Sequence, residues 1–214
     1  MNIGIVGSGT VGRVLADGFV VHGYEVMLGT NTPSKREELK SKTDGRVSIG
    51  SFAEAAAFGE IVIIAVKGMA AENAVKIAGT GNLTGKTVID TTNPIAEAPP
   101  VNGVIRYFTT LDESLMERLQ RMAPEAHFVK AFCSAGNAFM VDPDFGGVKP
   151  TMFICGNNEK AKDDVKAILD QFGWETDDMG KAEGARAIEP LAMLWCIPGF
   201  LRGDWMHAFK MLRK

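Results

Sequence analysis

The stretch Asn2-Ile3-Gly4-Ile5-Val6-Gly7-Ser8-Gly9-Thr10-Val11-Gly12 decides the fold. An apolar strand runs straight into a G-x-G-x-x-G pattern. Residues Thr10 to Val21 then place Val11, Val14, Leu15, Gly18 and Phe19 on one helical face, and Gly23 ends the helix. In this strand, turn and helix context each glycine has its own task. Gly7 permits the tight turn, Gly9 lets a pyrophosphate approach the backbone with no Cβ in the way, and Gly12 lets the helix pack close to the strand. Ser8, Thr10 and Val11 offer backbone amides at the positive end of the helix. The pattern predicts a dinucleotide site built from Gly7, Ser8, Gly9, Thr10, Val11 and Gly12.

The second strand, Glu25 to Leu28, tells the two nicotinamide dinucleotides apart. A site that prefers NAD needs a carboxylate at its end, about 20 residues beyond the fingerprint, to accept from the ribose 2′-OH. The chain instead reads Gly29-Thr30-Asn31-Thr32-Pro33-Ser34-Lys35-Arg36, with Glu25 at the wrong end and Glu37 already on the next helix. Hydroxyls, an amide and two cations suit a 2′-phosphate. Thr32 as N-cap and Pro33 as first helical residue would aim a second helix start at the same anion. The expected cofactor is NADP, with Thr30, Asn31, Ser34, Lys35 and Arg36 around its 2′-phosphate.

Strand and helix signals go on alternating. A charged helix is predicted at 33–42, a short strand at 46–49, an Ala-rich helix at 52–58, and buried strands at 61–66 and 87–90. After a Pro-rich loop over 93–103 come a polar helix around 113–122, strands at 127–132 and 151–155, a helix at 159–172, a strand near 174–176 and a helical end from Ala182. The fold class is α/β, a doubly wound and mostly parallel sheet with a small C-terminal strand and helix extension. The chain reads as one domain, with a dinucleotide-binding core over 1–132 and an extension over 133–214 that completes the sheet.

Composition excludes several functions. The chain has 214 residues, 46% hydrophobic and 23% charged, with a formal charge of −3, so it lacks the basic field that nucleic acid requires. No secretory signal precedes the first strand, and the apolar run Leu191 to Ile197, bracketed by Pro190 and Pro198, is far too short to span a membrane. Three widely spaced cysteines, with no C-x-x-C pair, argue against disulfides and zinc and for a reducing cytoplasm.

Ligands of such sheets lie beyond the carboxyl ends of the strands, which puts Val66 and Lys67, Asn93 and Pro94, and Cys133, Ser134 and Ala135 beside a nicotinamide. No nucleophile elbow, paired carboxylates or metal-ligand spacing is present. His22, His127 and His207 all fall away from the strand ends, so no catalytic residue is assigned. Cys133 has no evident base or cationic neighbour and is expected to stay a thiol. Hydride transfer between two planar rings requires none of these groups, because alignment of donor and acceptor carries most of the catalysis.

The chain resembles the coenzyme F420-dependent NADP oxidoreductase family. The resemblance rests on residues 3–12, Gly29-Thr30-Asn31, Asp90 to Pro94, Val129-Lys130-Ala131-Phe132, Asp142-Pro143, and Arg186 with Glu189-Pro190-Leu191-Ala192. It implies hydride exchange between NADP(H) and a deazaflavin, with the segment from Cys133 to Asn137 beside both rings and Val66 and Lys67 bordering NADP. Cys133 stands where relatives more often have asparagine or histidine, which leaves the acceptor open among coenzyme F420, FMN and FAD. Lys149, Arg186, Arg202 and Arg213 are the cations available in the C-terminal half for its acidic tail. The alternatives are a non-catalytic NADP-binding sensor and a reductase of a small imine or ketone. Leu201, Trp205, Ala208, Phe209 and Leu212 recur at helical spacing, predicting a last helix that, with 191–197, forms a homodimer contact close to the second substrate.

Overall fold

The computed structural model describes residues 1–43 and 45–214. Its elements in chain order are β1 (Asn2–Val6), α1 (Thr10–Val21), β2 (Glu25–Gly29), α2 (Lys35–Lys42), β3 (Ser48–Gly50), α3 (Phe52–Phe58), β4 (Ile61–Ile64), α4 (Gly68–Ala78) and β5 (Thr87–Asp90). They continue with α5 (Leu115–Met122), β6 (His127–Lys130), β7 (Thr151–Gly156), α6 (Glu159–Gln171), β8 (Glu175–Asp178) and α7 (Ala185–Arg202). One eight-stranded sheet runs in the order β3-β2-β1-β4-β5-β6-β7-β8. All neighbours are parallel except β6 and β7, which pair antiparallel through Val129 with Gly156 and Lys130 with Cys155. Strand order reverses between β1 and β4, and that crevice is where a doubly wound sheet takes its ligand.

The central strands are apolar on both faces because helices cover both. On one face Ile3, Ile5, Leu15, Phe19, Ile63, Ile89 and Val129 pack with α6 through Val165, Ile168 and Phe172. On the other, Val6, Val62, Ile64 and Val88 pack with α4 and α5. Phe172 ties the two ends of the chain together, with its ring 4.9 Å from Phe19 and 6.3 Å from Phe132. The C-terminal strands thus extend the same sheet, and α6 lies against the dinucleotide-binding strands.

Three expectations need correction. A helix over 68–78 was not foreseen, although Ala71, Ala74, Val75 and Ala78 keep helical spacing and are all buried. The helix expected from Pro33 begins at Lys35, because Thr32 and Pro33 carbonyls accept from Lys35 and Arg36 amides at 3.0 and 3.1 Å in a tighter i to i+3 turn. Thr32 is therefore no N-cap.

The third correction concerns the chain end. Helix α7 falls within the helical end expected from Ala182 and runs through both Pro190 and Pro198, but Gly203, at φ 72°, closes it in the left-handed conformation before the last apolar stripe. Residues 203–214 form no helix. They run back along β7, where Thr151 N donates to Phe209 O at 2.8 Å and Met211 N donates to Thr151 Oγ1 at 3.0 Å. Of the periodic apolar residues, Ala208 and Phe209 are half-buried, while Leu201 and Trp205 keep exposed surface. The Trp205 ring lies 5.5 Å from Trp195 and Ala208 joins the main core, while Leu212 is left exposed.

Candidate functional site

The fingerprint glycines meet the geometric demands of a pyrophosphate cradle. Gly7 has φ 131°, and a Cβ there would lie 2.2 Å from Ala65 O; a Cβ on Gly12 would lie 1.9 Å from Gly7 O. A Cβ on Gly9 would meet nothing within 4 Å, so this glycine faces open space. Helix α1 begins without a side-chain cap, and its first helical bond runs from Arg13 N to Gly9 O. The amides ahead of Arg13 are left for an anion.

No carboxylate stands at the end of β2. Thr30 is buried there, with its amide donating to Gly50 O at 2.9 Å and its hydroxyl accepting from Thr32 N at 3.2 Å. Asn31, Ser34 and Lys35 are exposed around it. Arg36 approaches Glu54 at only 3.6 Å, and its Nε is buried without a partner. The unpartnered Nε–H leaves Arg36 hydrogen-bonding capacity that a phosphate oxygen would take up on a small side-chain shift.

On the opposite side three loops converge. Lys67 is exposed and precedes α4, and the adjoining Gly68 is so close to the next loop that a Cβ would lie 1.9 Å from Asn93 O. Asn93 Nδ2 donates to Cys133 O at 2.7 Å, linking the loops after β5 and β6. Gly136, at the end of the third loop, rests on Trp195 of α7. Contacts thus join the three loops that carry Lys67, Asn93 and Cys133, with Pro94, Cys133 and Ser134 buried, Val66, Asn93 and Ala135 half-buried and Lys67 exposed. Phe132, immediately before Cys133, has φ 62°, a costly conformation for a bulky residue, held by burial of its ring and by its amide donating to Met152 Sδ.

A buried ionic cluster lies behind this cleft. Lys130 Nζ donates to Asp90 Oδ2 at 2.7 Å and to Thr92 O at 2.8 Å, and stands 2.9 Å from Glu189 Oε1. Asp90 Oδ1 accepts from Thr92 N and Oγ1 at 2.9 and 2.7 Å, and Glu189 accepts from the Leu115 and Met116 amides at the start of α5. Burial alone would neutralise Lys130, but the two carboxylates outweigh it and raise its pKa. Sequence reading had met these residues as family motifs without seeing their contact. A cation inside an apolar strand, in register with Asp90, was the available signal.

Cys133 is fully packed, and desolvation pushes its thiol up to about 12 against the opposing pull of Lys130. The expected absence of a cationic neighbour is therefore corrected; burial opposes the thiolate despite that neighbour. Among the described residues no group of His, Cys, Asp or Glu could hold a metal, and no helix is long and apolar enough to cross a membrane. His22 lies against Asp142 at 3.1 Å, His127 opens β6, and His207 sits in the non-helical tail.

Beside the cleft, a cavity of about 800 Å³ opens between the loop after β5 and α7, lined by Val104, Ile105, Arg106, Tyr107, Pro190 and Met193 among others. Tyr107 forms the shared wall, donating to Glu189 O at 2.7 Å with its hydroxyl 3.5 Å from Asn93 Oδ1. Of the four cations expected to serve an acidic substrate, Lys149 is paired with Asp170 and Arg213 with Asp177, while Arg186 lines this cavity but is paired with Glu117. Arg202 and the unforeseen Arg106 have no acidic partner among the described residues.

A family model described as NADP oxidoreductase, coenzyme F420-dependent, matches residues 2–94. The solved structure of a candidate F420-dependent NADP-reductase from Arthrobacter sp. FB24 superimposes with TM-score 0.92 at 31% identity, covering 100% of both chains. The chain belongs to the coenzyme F420-dependent NADP oxidoreductase family. It is an NADP-dependent oxidoreductase.

Family likeness extends to part of a larger protein, metalloreductase STEAP3 of Rattus norvegicus, at 28% identity over 93% of this chain; the chain spans 38% of that relative. An imine reductase of Streptomyces aurantiacus shares the fold, with TM-score 0.65, 18% identity, and coverage of 94% of this chain and 63% of the other.

The buried thiols give a direct check on the cleft. In the native protein Cys133 and Cys155 are both expected to resist alkylation at pH 8, since burial pushes each thiol up to about 12, and to react once the chain is denatured. Cys133→Ser should keep turnover within about tenfold, because a packed thiol is no standing nucleophile. Rapid labelling of Cys133 with loss of turnover would reveal a covalent role.

Proposed function

We propose that this oxidoreductase passes a hydride between NADP(H) and a planar deazaflavin or flavin, without a covalent or acid–base catalyst. The observation that carries the reading is the pairing of a glycine-built, uncapped helix start at Gly7 to Gly12 with the joined loops after β4, β5 and β6, where Asn93 Nδ2 donates to Cys133 O at 2.7 Å. Bound NADP(H) supplies the hydride donor or acceptor carbon. The chain's residues bind and orient. Gly7 to Gly12 hold the pyrophosphate on α1, and Thr30, Asn31, Ser34, Lys35 and Arg36 hold the 2′-phosphate. The Asn93 amide, fixed by Cys133 O, borders the ring, and Lys67 stands at the mouth. Proximity and alignment then supply the rate.

The cavity beside α7 supports a second planar substrate. Its walls are mostly apolar, and Arg106 offers a cation without an acidic partner for a phosphate or carboxylate tail. Reduction of a small imine or ketone is the second reading, favoured by Tyr107 alone, the phenol nearest the cleft. Burial raises its pKa and its proton is engaged with Glu189 O, which makes it a poor acid. Three free cysteines suit a reducing cytoplasm. The outward side chains Leu194, Phe200 and Leu201 of α7 suit contact with a second copy of the chain.

Three experiments test these statements. NADPH should bind at least tenfold more tightly than NADH, about 1.4 kcal/mol from charge-assisted hydrogen bonds. Arg36→Ala should narrow the gap while leaving NADH binding nearly unchanged; equal affinities in the wild type would refute the 2′-phosphate assignment. NADPH oxidation should be measured with coenzyme F420, FMN, FAD, quinones, a ferric chelate and cyclic imines, for wild type and Tyr107→Phe. Turnover of a deazaflavin or flavin little changed by the substitution is expected. Imine reduction that falls more than about 100-fold would assign proton transfer to the phenol, and tight NADPH binding with no oxidation would make the protein a sensor. Light scattering at micromolar protein should give a dimer that Leu194→Glu dissociates, and a soluble wild-type monomer would sink that assignment.

A further inference from the structure

Hydrogen bonds among Lys130, Asp90 and Thr92, and the peptide bond from Thr92 to Asn93, lead from the buried cluster to the loop that reaches Cys133. Lys130 Nζ holds Thr92 O at 2.8 Å and Asp90 Oδ2 at 2.7 Å, while Asp90 Oδ1 holds the Thr92 amide and hydroxyl at 2.9 and 2.7 Å. Thr92 is thereby gripped at its amide, hydroxyl and carbonyl, leaving the following residue little backbone freedom. That residue is Asn93, whose amide spans to Cys133 O at 2.7 Å. Glu189, 2.9 Å from Lys130, fixes the far side of the ammonium to α7 and the start of α5. A fully buried cation with three oxygen partners has one arrangement to adopt, and the loop after β5 inherits it.

We infer that Lys130 is a positioning residue for the nicotinamide: through Thr92 it sets the Asn93 amide in the one orientation that orders the ring, while contributing nothing to the adenosine end. The inference rests on the reading of NADP in the cleft between α1 and the loop after β5. It separates two halves of one ligand. The pyrophosphate and 2′-phosphate contacts belong to α1 and the segment after β2, and among the described residues no hydrogen bond or salt bridge joins either to the cluster, so a loosened Lys130 network should cost affinity at the ring alone.

Binding measured by titration calorimetry with NADPH and with 2′,5′-ADP, which lacks the nicotinamide half, tests this without an electron acceptor. The wild type should bind NADPH at least tenfold more tightly than 2′,5′-ADP. The double variant Lys130→Met with Asp90→Asn removes one charge of each sign, keeps an oxygen for Thr92, and leaves Glu189 its two helix amides. It should bind 2′,5′-ADP within twofold of wild type and lose most of the NADPH advantage. Asn93→Ala disturbs no buried charge and serves if the double variant does not fold; it should lose the same advantage. Lys130→Gln with Asp90→Asn, whose amide can still donate towards Thr92 O, should recover part of it. Equal losses for both ligands, as a merely structural role would give, would overturn the inference, as would an undiminished advantage in Asn93→Ala. A wild type that binds neither ligand would overturn the cofactor reading itself; one that binds both equally would overturn only the positioning role.

Discussion

The contact on which the cleft depends is a single ammonium buried among oxygens. Lys130 is wholly excluded from solvent, and so are Asp90 and, nearly, Glu189. An isolated charge at that depth would cost several kcal/mol, and removing one member of such a cluster typically costs about 3–5 kcal/mol because its partners stay buried and unpaired. The cluster survives because every member is saturated: Lys130 by two carboxylates and a carbonyl, Asp90 by Thr92, Glu189 by two amides of α5. Those partners come from β5, β6, α5 and α7. Elements that an apolar core would let slide are therefore held in one register, directly behind the loops that wall the site.

The two ends of the cleft are built by different physics. The phosphate end uses backbone: an uncapped helix start, glycines that a Cβ would force apart, and a guanidinium with a spare N–H. Such a site forms wherever the strand, turn and helix form, which is why it was readable from eleven residues of sequence. The ring end uses side chains from three loops far apart in the chain, joined by the Asn93 to Cys133 bond and backed by α7 through Trp195 and Gly136. Its construction depends on tertiary contacts, so its sequence carries position without contact.

Particular elements show where sequence reading reaches and stops. The limits of β1, α1, α3 and β5 coincide with those expected, because each has a clear period or bounding signal: glycines around α1, the Ser51 and Glu54 capping box at α3. Helix α4 was missed although its alanines keep helical spacing, since a small-residue face gives little contrast between its two sides. The opposite error occurred after Gly203. Apolar residues at helical spacing there are satisfied one by one, Trp205 on Trp195, Ala208 in the core and Phe209 O on Thr151 N, by a chain with no helical hydrogen bonds. Helical spacing of apolar residues is therefore no proof of a helix: an extended tail here half-buries Ala208 and Phe209 and leaves Trp205 and Leu212 exposed.

The chemistry of the cleft follows from what its groups are prevented from doing. Cys133 lies near a permanent cation, an arrangement that in a solvated site would produce a thiolate. Here the same cation is already neutralised by Asp90 and Glu189, and burial raises the thiol further. Tyr107 likewise has a buried phenol whose proton is committed to a carbonyl. The ionic cluster thus acts twice on the site: it fixes the Asn93 loop, and its two carboxylates counter the pull of Lys130 on the Cys133 thiol, which burial already holds in the neutral form. A cleft made rigid and chemically quiet in this way suits a reaction whose barrier falls mainly through the alignment of two carbons.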